Sequence, residues 1–415
     1  MKKIFFAIFA FSLLPLFAEL YPARRYVELG VGANAMAAQD GMPLTEIFKK
    51  HLVLDLKKIQ SGMNKSGLTL ALSAQEDFHL DFNFRTFGVG LRADSEFNAN
   101  FNITKDLFDV LDGVKPGSVY KGEANFWIQS FSAFSIPIRF NVNKWKVTIT
   151  PACFVPCVYV PATTVRGKAV NGVDGTVTVS ASAPLEIYTI SEFKGLIKDG
   201  DFSTDFVNKF DSSALASDIA TSAGVDLGAA AEYALTDELD IGGYIRTPLY
   251  PGHLRHKITA TATVSVSSDS LLKMIVDERS PDSEAKLSDA VYSSASYVVN
   301  RPFKLGVECA WRPVGKWLTL RGALGMGLRN PFGQDVSIKS LYPEYRFGAE
   351  VVGIGMFGIG LSTAYTQKVF SHGLDLMLNF RAVEFDFSAA VCSPSFIQSF
   401  KGEGALAGVA VKFGW

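Results

Sequence analysis

The residues whose types could do chemistry together are His79 and Asp81, two apart in Asp77-Phe78-His79-Leu80-Asp81-Phe82. On an extended chain that spacing puts both side chains on one face, where imidazole and carboxylate form an acid–base pair. Such a pair needs a nucleophile. Serines abound, but no G-x-S-x-G elbow is present to mark one. His253 and His256 in His253-Leu254-Arg255-His256 are three apart, so on a strand they face opposite sides and cannot clamp one metal. Cys153 and Cys157 share one face of a candidate strand, about 13 Å apart at roughly 3.3 Å per residue, too far to bridge. Cys309 alternates in phase with Leu305, Val307 and Trp311, and all four cysteines read as small hydrophobes. No catalytic residue, metal site or cofactor is expected, and the chain reads as a non-enzyme.

The elements that position these residues are strands. Phe78, Leu80, Phe82 and Phe84 alternate with His79, Asp81, Asn83 and Arg85; Phe134 to Val142 alternate with Ser135, Pro137, Arg139 and Asn141. The same period of two recurs around short turns at 143–144, 236–238, 313–316 and 381–382. It places one face in an apolar medium and the other in a polar one. The polar face carries Asp81, Arg139, Lys146, Glu232, Asp240, Lys304, Arg312, Arg321, Glu350, Glu384 and Lys412, with acids and bases interspersed. Pairing of those charges could cross-link an interior, whereas a selective ion pore would concentrate one sign.

Composition narrows the class. The 415 residues carry 40 Lys+Arg against 41 Asp+Glu, and 20% charged residues at near-neutral balance argue against a nucleic-acid partner. Two uncharged runs fail as membrane helices: 147–165 holds Pro151, Pro156 and Pro161, and 351–367 is broken by closely spaced glycines. Met1-Lys2-Lys3 followed by apolar Ile4 to Phe17 and Ala18 reads as a secretory signal peptide, residues 1–18, cut after Ala18. No cysteine precedes Cys153, so no lipoprotein anchor is expected at a new amino terminus.

The chain ends on Gly404-Ala405-Leu406-Ala407-Gly408-Val409-Ala410-Val411-Lys412-Phe413-Gly414-Trp415. From Val409 the large apolar residues fall on every second position, and with Leu406 they form a candidate assembly strand resembling the terminal strand of bacterial outer-membrane barrels. Counting back from Trp415, the short turns fall on the periplasmic side and the long connections outside, the asymmetry expected of such barrels. Trp145, Trp311, Trp317 and Trp415 adjoin the short turns, where an interfacial girdle would lie. The expected fold is all-β: a closed antiparallel transmembrane barrel of about 14 strands (12–16) over 67–415, with long external loops near 160–223 and 251–301. Two of those strands, 67–74 and 77–84, are separated by an external turn at 75–76. Residues 19–66 are read as an amino-terminal plug or periplasmic element. Leu44, Ile47, Phe48 and Leu52 begin an apolar stripe at helical spacing, while Leu52, Leu54 and Leu56 also alternate as a strand would.

In layout the chain resembles the FadL type of outer-membrane transporter for long-chain fatty acids and other hydrophobic compounds. The likeness rests on the export signal, Gly32-Ala33-Asn34-Ala35-Met36-Ala37 with Asp40, fourteen strands and a terminal aromatic. The family's following N-P-A-G-L run is replaced by Met42-Pro43-Leu44-Thr45-Glu46. The resemblance implies an amino-terminal hatch inside the barrel and a hydrophobic small-molecule ligand. Outer-membrane lipids and the barrel assembly machinery are the other implied partners. The alternatives are a general diffusion porin, a surface adhesin and an outer-membrane lipid hydrolase.

Overall fold

The computed structural model describes residues 25–41, 67–105, 119–171, 176–194, 196–198, 201–202, 212–268, 282–315, 317–353 and 356–415. In chain order the first strands are β1 (Val27–Gln39), β2 (Leu68–Asn83), β3 (Phe87–Ile103), β4 (Val119–Ser135), β5 (Ile138–Val142), β6 (Trp145–Asn171) and β7 (Val177–Thr189). The two-residue strands β8 (Ile197–Lys198) and β9 (Asp201–Phe202) and helix α1 (Ser212–Ser222) precede β10 (Gly224–Ala234) and β11 (Leu239–Tyr250). Then come β12 (Gly252–Ser268), β13 (Asp282–Leu287), β14 (Val291–Val299), β15 (Phe303–Trp311) and β16 (Leu318–Leu328). The chain closes with β17 (Leu341–Gly353), β18 (Phe357–Thr366), β19 (Val369–Asn379), β20 (Val383–Ser393), the one-turn helix α2 (Phe396–Ser399) and β21 (Ala405–Gly414).

Among the described residues, fourteen strands (β5 counted with β4) form one closed antiparallel wall, β7 and β12 to β14 lie outside it, and β8 pairs only with β9. The wall runs β1, β2, β3, β4 with β5, β6, β10, β11, then β15 to β21 in order, and β21 pairs back onto β1 from Ala405↔Ala37 to Gly414↔Glu28. Closure matters because a sheet edge facing hydrocarbon would leave backbone groups unsatisfied. The seam is tied at its end by Tyr26 N–H donating to the Trp415 carbonyl at 2.7 Å. Alternate residues turn apolar side chains outward around the whole wall: Val31, Phe78, Leu91, Phe140, Ile245, Val307, Phe347, Leu361, Phe387 and Phe413 are all exposed. The opposite face points into the lumen. No described helix is long and apolar enough to cross a membrane.

Three expectations are corrected. Val27–Gln39 is a wall strand between β21 and β2, so residues 19–66 are not one plug or periplasmic element and the barrel does not begin at 67. Its outward positions beyond Val31 are Ala33, Ala35 and Ala37, too small to make the alternation conspicuous. No turn interrupts 75–76: β2 runs unbroken, with Gln75 opposite Glu96 and Glu76 opposite Ser95. Two errors thus offset one another in the strand count. The regions near 160–223 and 251–301 are not simply loops either. The upper part of β6, with β7 and β12 to β14, continues as paired strands beyond the wall, over a core of Phe131, Phe154, Tyr159, Tyr188, Leu254 and Tyr297.

Candidate functional site in the lumen

The lumenal charges pair across neighbouring strands, as opposed residues on a sheet face must. Lys146 of β6 stands directly across from Glu232 of β10, with Nζ 2.6 Å from the carboxylate. Arg312 reaches Asp240 at 2.7 Å, Arg321 reaches Glu350 at 3.3 Å, and Lys412 contacts both Glu384 (3.0 Å) and Asp386 (2.6 Å). Other bridges skip a strand by passing over glycine. Lys304 of β15 meets Glu344 of β17 at 3.0 Å above Gly325 and Gly327 of β16. Arg139 of β5 donates to both oxygens of Asp81 on β2, at 3.1 and 3.0 Å, across Gly88 and Gly90 of β3. The interspersed charges read from the sequence therefore line the wall as contacts between opposite charges.

Toward the end with the long connections, side chains cross the lumen. Arg301, in the link between β14 and β15, is 7% exposed. Its Nη2 donates to Asp94 of β3 at 3.0 Å and its Nη1 lies 3.4 Å from Asp226 of β10. Gln367 sits in the tight turn between β18 and β19, where Gln367 and Lys368 both take left-handed φ (51° and 68°). Its amide donates to Glu96 of β3 at 3.1 Å, from the far side of the wall, and Asn98 donates to the same oxygen at 2.7 Å. Beside this polar layer is an apolar patch: Ala38, Ala71, Val369 and Cys392 pack together with Met36 and Leu406. A cleft between layer and patch is lined by Asn34, Met36, Gln75, Glu344, Gln367 and Leu406. Beyond the wall, Tyr188 and Tyr159 stack on Tyr297 with centroids 4.1 and 5.5 Å away. Glu403, in the link between β20 and β21, is buried with Asp40 nearby; burial pushes its carboxyl up to about 7, with Lys401 opposing and Asp40 adding to the shift.

The residues singled out from the sequence fall in separate places. Trp145, Trp311 and Trp317 are exposed beside the short turns. On β21, Val409, Phe413 and the following Trp415 are exposed and Val411 is half-buried, whereas Leu406 is out of phase with them and belongs to the lumenal patch. Leu44, Ile47, Phe48 and Leu52, and the signal peptide 1–18, lie outside the described residues. Gly41 and Gly67, the described residues that flank 42–66, both lie on the long-connection side. Arg301 and Gln367 were missed because they sit in links, where alternation gives no signal. The four cysteines are free thiols.

No family model matches the chain, and no curated protein matches it. Among solved structures it is similar to the toluene transporter TbuX of Ralstonia pickettii, at 9% identity and TM-score 0.44, covering 94% of this chain and 90% of that one. It is also similar to the toluene transporter TodX of Pseudomonas putida, at 8% identity and TM-score 0.43, covering 95% and 91%. The monoaromatic hydrocarbon channel CymD gives 9% identity and TM-score 0.42, covering 94% and 89%.

Proposed function

We propose that this barrel lies in the bacterial outer membrane, after cleavage of residues 1–18, and passes hydrophobic, fatty-acid-like small molecules rather than dissolved ions. The carrying observation is the layer that spans the lumen: Arg301 between Asp94 and Asp226, and Gln367 on Glu96. A general diffusion porin would need that cross-section to be open water. Beside the layer, Met36 and Leu406, half-buried against Ala38 and Val369, line the cleft and give it an apolar side that a hydrophobic ligand would cover. The segment 42–66 starts and ends at this mouth, so the stripe of Leu44, Ile47, Phe48 and Leu52 is assigned to the same patch as a hatch. Exposing such residues to water would forgo about 1.5–3 kcal/mol each. Trp145, Trp311, Trp317 and Trp415 mark the periplasmic interface. The β21 strand, with Phe413 and Trp415, is what the barrel assembly machinery would engage.

Reconstitution tests the reading. Planar bilayers containing the protein should show little steady conductance, while vesicles containing it should take up a fluorescent fatty acid faster than empty ones. Large stable conductance for small hydrophilic ions would establish a porin instead.

A further inference from the structure

Asp77, His79 and Asp81 alternate along β2 and so face the lumen together near the short-turn end. Glu28 of β1 is the direct cross-strand partner of Asp81, and Gly30 is the partner of His79. That glycine shapes the site. A Cβ at Gly30 would stand 2.1 Å from the imidazole, so the His79 ring occupies the space a side chain would fill and aims at Glu28. His79 Nε2 lies 3.4 Å from Glu28 Oε1, and Nδ1 lies 3.1 Å from Asp77 Oδ2. One donor atom each from Glu28, His79 and Asp81 falls within 4.8 Å of the others.

We propose that Glu28, His79 and Asp81 bind one first-row divalent cation, with zinc as the probe, and that this ion staples β1 to β2 at the start of the wall. One imidazole nitrogen and two carboxylates suit such ions, with bonds of about 2.0–2.2 Å. Asp77 supplies the second requirement. A carboxylate on Nδ1 holds the proton there and turns the Nε2 lone pair toward the other ligands, as metal-binding histidines are oriented. The carboxylates are themselves held: Arg139 and, at 3.9 Å, Arg92 face Asp81, and Arg25 lies 3.3 Å from Glu28. Three guanidiniums balance the three carboxylates, and the adjoining Glu384, Asp386 and Lys412 leave one net negative charge before His79 is counted. Bringing the donors to ligand spacing needs side-chain rotation only, since all three side chains rise from paired positions of two bonded strands. The sequence showed His79 and Asp81 without a third group; the pairing of β1 with β2 provides it.

The test uses untagged mature protein in detergent, stripped with a chelator, re-equilibrated with micromolar zinc and desalted, with metal content measured by mass spectrometry. One equivalent should be retained. His79→Gln and Glu28→Gln should each reduce retention to background, and Asp77→Asn should weaken it about 10–100-fold. Cobalt in place of zinc should give visible absorption that His79→Gln abolishes. Variants are compared only where the unboiled protein keeps its fast gel mobility. Absence of zinc on the native protein overturns the proposal and leaves His79 as a salt-bridge partner of Glu28 and Asp77. Equal zinc on the native and Glu28→Gln proteins overturns it as well.

Discussion

Replacing Arg301 by alanine removes a side chain that joins β3, β10 and the β14–β15 link across the lumen. Its contacts to Asp94 and Asp226 are 3.0 and 3.4 Å long. At an effective dielectric of 20, each amounts to about 5 kcal/mol of gross attraction, much of it offset by desolvation. The loss on truncation is set by what stays behind. Asp226 is 2% exposed and Asp94 loses its donor, and breaking a buried pair costs about 3–5 kcal/mol. Because the Asp94 side chain keeps partial exposure, the lower end, about 3 kcal/mol, is expected. The same change removes part of the polar layer, so ionic conductance should rise from near zero to resolvable steps. Denaturant midpoints by tryptophan fluorescence and single-channel recording measure the two effects. Adding Asp226→Asn to Arg301→Ala should restore part of the stability, because the orphaned charge is then gone, while conductance stays raised. Unchanged stability together with unchanged conductance would refute the bridging role.

Three further outcomes follow from particular contacts. Glu403 has its folded-state pKa raised by burial to about 7 from 4.5, so its stabilising effect is fully present below the unfolded value and fades as pH rises through 7. Glu403→Gln should therefore unfold at higher denaturant than the parent at pH 8 and match it near pH 4, and an unchanging difference across that range would exclude the assignment. Glu76 shares the outward face of β2 with Leu70 and Phe78; Glu76→Leu should stabilise the barrel in lipid by about 1 kcal/mol, and a destabilised variant would place that side chain on a partner. Deleting Phe413 to Trp415 removes the Tyr26 N–H to Trp415 carbonyl bond and the end of the β20–β21–β1 seam, so surface protein detected by external protease should fall at least tenfold; normal levels would mean that closure does not need this strand end.

Period-two alternation revealed the wall wherever outward residues were large, as on β5, β15 and β20. It failed where the outward residues of β1 shrank to Ala33, Ala35 and Ala37, and where Gln75-Glu76-Asp77 set three polar residues in a row across β2. A polar run reads as a turn unless its backbone partners are known, and those lie on β1 and β3. Strand partners are non-local, which is why the continuation of β6 through β7 and β12 to β14 also read as loops. For the site, the wall pairs such as Lys146 with Glu232 were legible as interspersed charge. The bridges from Arg301 and Gln367 were not, because they depend on how two links lean inward.

The proposed function requires a barrel that is shut to ions yet open to hydrophobic molecules, with the segment after Gly41 as its proposed hatch. A deletion beginning at Ala33 would cut β1 from the wall, so the clean perturbation replaces residues 43–65 by a short glycine–serine turn and leaves Gly41 and Gly67 in place. Ionic conductance and uptake of a fluorescent fatty acid are then measured on the same reconstituted preparations of native and altered protein. The native barrel should take up the tracer with little conductance, and the altered one should show large, steady conductance. Native conductance already as large as that of the altered barrel, with no tracer uptake by either, would contradict the account.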